Sequence, residues 1–200
     1  MEISASQVKA LRDKTGAGFM ECKAALAETS GDLDEAVTVL RTKGQAKAEK
    51  RAGRSTSEGV IGHYIHQGGQ VAVIVEVNCE SDFVARTDDF QALIKEIAMH
   101  IAAANPTCVR REDVPTDDLE KEKTIYRKQF ENSDKPAHVI EKIVEGKVNS
   151  YYEQIVLLDQ PSIRDPKATI GSMVTAAVAK LGENITIARF ARFKVGETAD

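Results

Sequence analysis

Few residue types able to do chemistry occur in this chain, and most of them lack the company that chemistry needs. His63-x-x-His66 offers two imidazoles inside a stretch that reads as a strand. Residues three apart on a strand point to opposite faces, so the pair does not chelate easily, and both read as surface histidines. Glu80 and Asp82 are two apart and could suggest an acid–base pair, but no histidine, nucleophile or metal motif accompanies them. Cys22, Cys79 and Cys108 are odd in number, widely spaced and without a Cys-x-x-Cys motif. That pattern fits a reducing compartment and argues against a zinc site, and Cys22 and Cys79 lie in apolar neighbourhoods as core thiols do. Gly16-Ala17-Gly18 precedes a helix but follows a helix, not the strand that a dinucleotide site requires, and no phosphate-cradling Gly-x-x-x-x-Gly-Lys-Ser/Thr run is present. The expectation is a protein with no catalytic residues, no metal and no cofactor.

Two features remain. His100 lies near the end of an apolar helix, one residue before the stripe position Ile101. This reads as a boundary histidine stabilised by the helix C-terminus. Asp82-Phe83 sets a carboxylate beside a large ring, in a tight corner between an apolar run ending at Val77 and a following helix. Phe is usually buried and Asp usually exposed, so adjacency in a turn puts one of them somewhere unusual. Either Phe83 plugs the core while Asp82 caps a helix, or the ring enters a pocket on a partner while the acid competes there for a cation or a donor.

The elements that position these residues follow from periodicity. Residues 1–44 read as three short helices. Ser4-x-x-Gln7 has capping-box form ahead of Val8 and Leu11, and Gly16 stops that helix. The second helix runs from about Phe19 to Thr29 and buries Met20, Cys22, Ala25 and Leu26 in some combination. Asp32-x-x-Glu35 starts the third, which Gly44 closes. Residues 45–58 are rich in Ala and cations without a large apolar side chain, as expected of a solvated helix or a hinge, or of a basic patch that faces a partner. From Gly59 the period becomes that of strands. Val60 to Ile65 and Val71 to Val77 flank Gly68-Gly69, a hairpin signal, and the second run is apolar enough to be a central strand covered on both faces.

Thr87-Asp88-Asp89 then caps a helix with Phe90, Leu93, Ile94, Ile97 and Ile101 as its stripe, ended by Asn105-Pro106. A charged helix from Pro115 to about Asn132 follows, then one opened by Pro136. After a loop around Pro161 and Pro166, a helix that Thr169 caps and Gly182 stops leads to a closing strand from Ile185 to Phe193. The fold class is α+β: a three-helix bundle in residues 1–44, a basic linker in 45–58, and in 59–200 a core made of a small antiparallel sheet packed with helices.

The bulk properties agree. Two hundred residues with 42% hydrophobic and 29% charged side chains describe an ordinary globular protein. A net charge of −4 argues against a general nucleic-acid binder. No apolar run approaches the length of a membrane span, and Met1-Glu2-Ile3-Ser4 does not open a signal peptide, so a cytoplasmic location is expected. The charge is uneven: residues 1–54 hold 10 Lys and Arg against 8 Asp and Glu, and the rest hold 17 against 23, which suggests two modules with different surfaces.

Four ordered segments carry a resemblance that spans nearly the whole chain. Val77-Asn78-Cys79-Glu80-Ser81-Asp82-Phe83-Val84-Ala85-Arg86-Thr87 closely resembles the Thr-Asp-Phe-Val-Ala signature of the elongation factor Ts family, with Ser81 where Thr is usual. The segments Leu11 to Leu26, Ile97 to Ala103 and Phe190 to Gly196 fit the same family in the same order. The resemblance implies a guanine nucleotide exchange factor for elongation factor Tu, with no chemical active site of its own. Asp82 and Phe83 would enter the partner near its magnesium and nucleotide site, with Ser81 and Val84 beside them among the partner-binding residues. The first module, similar to a ubiquitin-associated bundle, would pack on the GTPase domain through Phe19, Met20 and Lys23, with Phe19 departing from the Met or Val common there. His100 would match a family histidine at the partner interface. Longer members carry two halves of the α+β core and this chain has room for one. It therefore looks like the short bacterial type, expected to form a homodimer and a two-plus-two complex without direct nucleic-acid or membrane contact. The competing expectation is a plain interaction adaptor with no exchange activity.

Overall fold

The computed structural model describes residues 3–131, 133 and 135–197. The expected helical end at Asn132 lies outside them. Contacts divide the chain into two compact units that are discontinuous in sequence. One comprises the chain up to Val60 with Asn78–Leu93 and Met173–Thr186, and the other comprises Ile61–Val77, Ile94–Ser172 and the chain from Ile187 onward.

In the first unit, α1 (Ala5–Thr15) begins with the expected capping box, Gln7 N donating to Ser4 Oγ and Ser4 N to Gln7 Oε1. Gly16 ends it in the left-handed region at φ 68°, which an L side chain would resist. α2 spans Phe19–Glu28 and α3 Leu33–Glu49, the latter capped by Asp32, whose carboxylate accepts the N–H groups of Asp34 and Glu35. The three helices close on Val8, Leu11, Cys22, Ala25, Leu26 and Ala36. One expectation fails here. Gly44 does not stop α3, which runs five residues further. Its hydrogen side chain serves close packing instead: a Cβ there would lie 3.2 Å from Ala179 Cβ. Ala179 belongs to α8 (Ile170–Leu181), whose start is capped by Thr169, Ser172 N donating to its Oγ1, and whose end is Gly182 at φ 81°.

The three-stranded antiparallel sheet comprises β1 (Glu58–Ile65), β2 (Val71–Cys79) and β3 (Ile185–Lys194), in the order β1-β2-β3. Gly68 and Gly69 turn the hairpin with positive φ, and His66 N donates to Val71 O at 2.8 Å. Val73, Val75 and Val77 are buried while Ile74 between them is exposed. The near-continuous apolar run of β2 therefore has only one face covered by this chain, not two. Ile61 and Ile65 of β1 and Phe193 of β3 are exposed as well. In the second unit α5 (Asp88–Ala104) places Ile94, Ile97 and Ile101 in the core, as its spacing predicts. α6 (Thr116–Lys128) and α7 (Ala137–Ile155) pair through an Arg127–Glu141 salt bridge at 2.9 Å and through Lys147, which lies over the rings of Tyr126 and Phe130. Pro136 precedes the first turn of α7 at the capping position.

Gly62 permits a close approach of α5 to the sheet. A Cβ there would overlap Ile94 Cγ2 and touch Val75 Cγ1 at 3.4 Å. Gly62→Ala is expected to lower stability by about 1–3 kcal/mol through overpacking, read as a lower denaturant midpoint at unchanged slope.

Candidate functional site

β2 ends at Cys79, and the chain turns at once into the single-turn helix α4 (Asp82–Ala85). Ser81 is its cap, extended at φ −131° and ψ 154°, and its Oγ accepts Val84 N at 3.4 Å. Capping therefore falls to Ser81 and not to Asp82. The same hydroxyl donates to Glu183 Oε1 at 2.6 Å, and Ser81 N donates to Glu183 Oε2 at 3.0 Å. Beside it Asn184 N donates to Glu80 Oε1 at 2.6 Å. That backbone hydrogen bond, with the positive charge of Arg54, holds the Glu80 carboxyl below the usual range. Asn184 is buried, and its amide nitrogen donates to the carbonyls of Arg54 at 2.8 Å and Ala52 at 3.4 Å.

On this base the side chains of α4 diverge. Ala85 is buried, and Phe90 fills the core one turn into α5. Phe83 is 78% exposed. The ring that could have plugged the core projects into solvent instead, because the buried places are taken by Ala85 and Phe90. Asp82 pairs with Arg86 Nη2 at 2.7 Å, and both are partly open to water. Glu80 and Asp82 thus answer to different partners. Val84 is partly buried, and its carbonyl accepts from Thr87 Oγ1 at 2.8 Å.

α2 carries the second group. Cys22, Ala25 and Leu26 face the bundle core, so Phe19, Met20 and Lys23 lie on the outside, with Phe19 49% and Met20 71% exposed. The expectation that Met20 might share the core is corrected: the small bundle is filled without it. Two large apolar side chains thus stand in water on one short helix. Among the described residues, no group of three or more His, Cys, Asp or Glu is placed to hold a metal ion, and no helix is long and apolar enough to cross a membrane. His63 is exposed, and His66 Nδ1 meets the Tyr64 hydroxyl at 3.1 Å.

Residues 2–197 match the family described as Elongation factor TS. The chain belongs to the elongation factor Ts family. It is 58% identical to the elongation factor Ts of Coprothermobacter proteolyticus over 197 residues, covering 98% of this chain and 100% of the relative. It is 56% identical to that of Fervidobacterium nodosum over 197 residues with the same coverage, and 57% identical to that of Solibacter usitatus over 196 residues, 98% of this chain and 92% of the relative. The elongation factor Ts signature segment is thus the corner just described. The partners that fix it, Glu183 and Asn184, lie about a hundred residues away in sequence, and no local spacing announces them.

His100 is not at a boundary. It is 1% exposed in the second unit, and its Nε2–H donates to Gln160 Oε1 at 2.9 Å, while Gln160 Nε2 donates to the carbonyl of Gln154. Among the described residues Nδ1 has no hydrogen-bond partner. Burial pushes the imidazole below its ordinary value, and the hydrogen bond to Gln160 opposes this only in part. The neutral ring is therefore the folded form. Below about pH 6.5 the unfolded chain takes a proton that the folded chain resists, so stability is full above that pH and falls as pH drops toward the lowered folded value. Urea midpoints measured from pH 7.5 down to 5.5 should decline for the wild type, and His100→Gln should flatten the decline.

Proposed function

We propose that this chain promotes the release of GDP from elongation factor Tu so that GTP can reload, and that it does so by contact without a chemical active site of its own. The observation that carries the reading is Phe83: a large ring held in water on a fixed corner, within the signature of the family to which the chain belongs. A plain adaptor has no use for such a corner. On this reading the ring inserts between partner helices, and Asp82 exchanges Arg86 for groups that hold the partner's Mg²⁺ and phosphates. Losing Mg²⁺ removes the main neutraliser of the diphosphate, and a displaced phosphate loop loses its backbone donors. Burying the ring contributes about 2–3 kcal/mol. A thousandfold weakening of nucleotide needs about 4 kcal/mol of coupling, and linkage makes nucleotide weaken this protein's grip by the same factor.

Residues 1–44 would act as the ubiquitin-associated-like module whose Phe19, Met20 and Lys23 grip the GTPase domain, residues 45–58 as the basic connector, and residues 59–200 as the core. His100, being buried, would serve the interface from beneath through Gln160. The work is cytoplasmic, and it involves neither nucleic acid nor membrane directly. A homodimer and a two-plus-two complex are favoured by the uncovered sheet face, where Ile61, Ile65, Ile74 and Phe193 stand in water.

Release of a fluorescent GDP from elongation factor Tu, chased with excess GDP, should accelerate strongly with the wild type. Asp82→Ala and Phe83→Ala should lose most of that acceleration. Phe83→Ala should stay within about 0.5 kcal/mol of wild-type stability, as an exposed side chain predicts. No acceleration by folded wild-type protein would leave only an adaptor. Light scattering at micromolar concentration should give a dimer mass that Ile74→Asp shifts toward the monomer, and a wild-type monomer would remove the two-plus-two arrangement.

A further inference from the structure

We propose that Glu183 is a positioning residue for exchange, holding the Ser81–Phe83 segment in its binding shape before any partner arrives. This rests on the reading that Asp82 and Phe83 enter the partner.

α4 has four residues, too few to be stable as an isolated helix. Its shape must be imposed from outside. The imposing group is a carboxylate that accepts both donors of one residue, the N–H and the O–H of Ser81, at 3.0 and 2.6 Å. An ionised carboxylate has two oxygens and no hydrogen, so it suits two donors arriving together, and charge assistance makes each bond stronger than a neutral one. The arrangement is reciprocal. Glu183 accepts the backbone N–H of Ser81, and Glu80, the residue before Ser81, accepts the backbone N–H of Asn184, the residue after Glu183. Two dipeptides thus clasp each other through opposite carboxylates. Asn184 fastens the clasp to the chain at Ala52 and Arg54. The remaining oxygen of Ser81, its carbonyl, accepts from Cys79 Sγ at 3.1 Å and from Ala85 N at 3.3 Å.

Every polar atom of Ser81 is therefore committed before Asp82 begins. The ordering cost of the corner is met on folding and not on binding, which is where preorganisation raises affinity and rate. Glu183 lies about a hundred residues from the signature in sequence, and its hydrogen bonds to the corner are made to Ser81.

The test combines the GDP-release assay with amide hydrogen exchange on the free protein. Glu183→Ala should speed amide exchange at Ser81 and Val84. It should also lower the accelerated release rate about tenfold, equivalent to ~1.4 kcal/mol, with circular dichroism unchanged. Glu183→Gln should recover most of both, since its carbonyl can accept Ser81 N–H while its amide donates to Ser81 Oγ. In an Asp82→Ala/Phe83→Ala background, adding Glu183→Ala should cost nothing more, because both groups being positioned are gone. A purely structural role would instead subtract equally in both backgrounds, and that result overturns the proposal. So does wild-type release by Glu183→Ala while Phe83→Ala is defective, or unchanged amide protection. Failure of the wild type, or full activity of Phe83→Ala, would strike the exchange reading itself and take the positioning role with it.

Discussion

A benzyl ring kept in water needs a backbone that cannot fold back over it. Phe83 and Phe90 are seven residues apart, and one is solvated while the other is fully buried. Nothing in the side chains themselves makes that choice. The backbone at Ser81 makes it: an extended residue whose hydroxyl and amide are anchored on a carboxylate turns α4 outward, so that Ala85 faces in and Phe83 faces out. The rest of the first unit supports this one direction. Asn184 ties the anchoring segment to the chain that follows α3, and the close approach of Gly44 to Ala179 brings α3 against α8, which leads into Glu183.

The legible part of this fold was the part written in short-range periods. The α5 stripe, the Gly68-Gly69 hairpin, the Ser4 capping box and the Thr169 cap all depend on residues within a turn or two of one another, and each was read correctly. Gly44 was misread because a glycine that permits close packing and a glycine that ends a helix look the same in sequence; only the neighbour, Ala179, separates them. β2 was misread for a related reason. Its apolar residues suggest cover on both faces, yet the face carrying Ile74 is exposed. His100 looked like a helix-end histidine because its buried acceptor, Gln160, is sixty residues away.

The site divides along the same line. Ser81 to Val84 could be found from adjacency and resemblance, and Phe19, Met20 and Lys23 from resemblance alone. Glu183, Asn184 and Gln160 could not, because their roles are created by tertiary contacts and their residue types are common on any surface. The exposed ring was readable, and what aims it was not. This asymmetry follows from physics: a large ring is conspicuous by type, while its orientation rests on hydrogen bonds between segments that folding brings together.

The strand order carries a consequence for how the molecule is made. β2 is central, yet its second neighbour, β3, begins only at Ile185 and is complete at Lys194, roughly 115 residues after β2 ends. At about 5–20 residues per second, synthesis leaves one edge of β2 unpaired for on the order of 10 s. During that interval Val71 to Cys79 is an apolar strand with open hydrogen-bonding groups, the kind of template that recruits wrong partners. Until β3 arrives, the emerging chain carries that open edge.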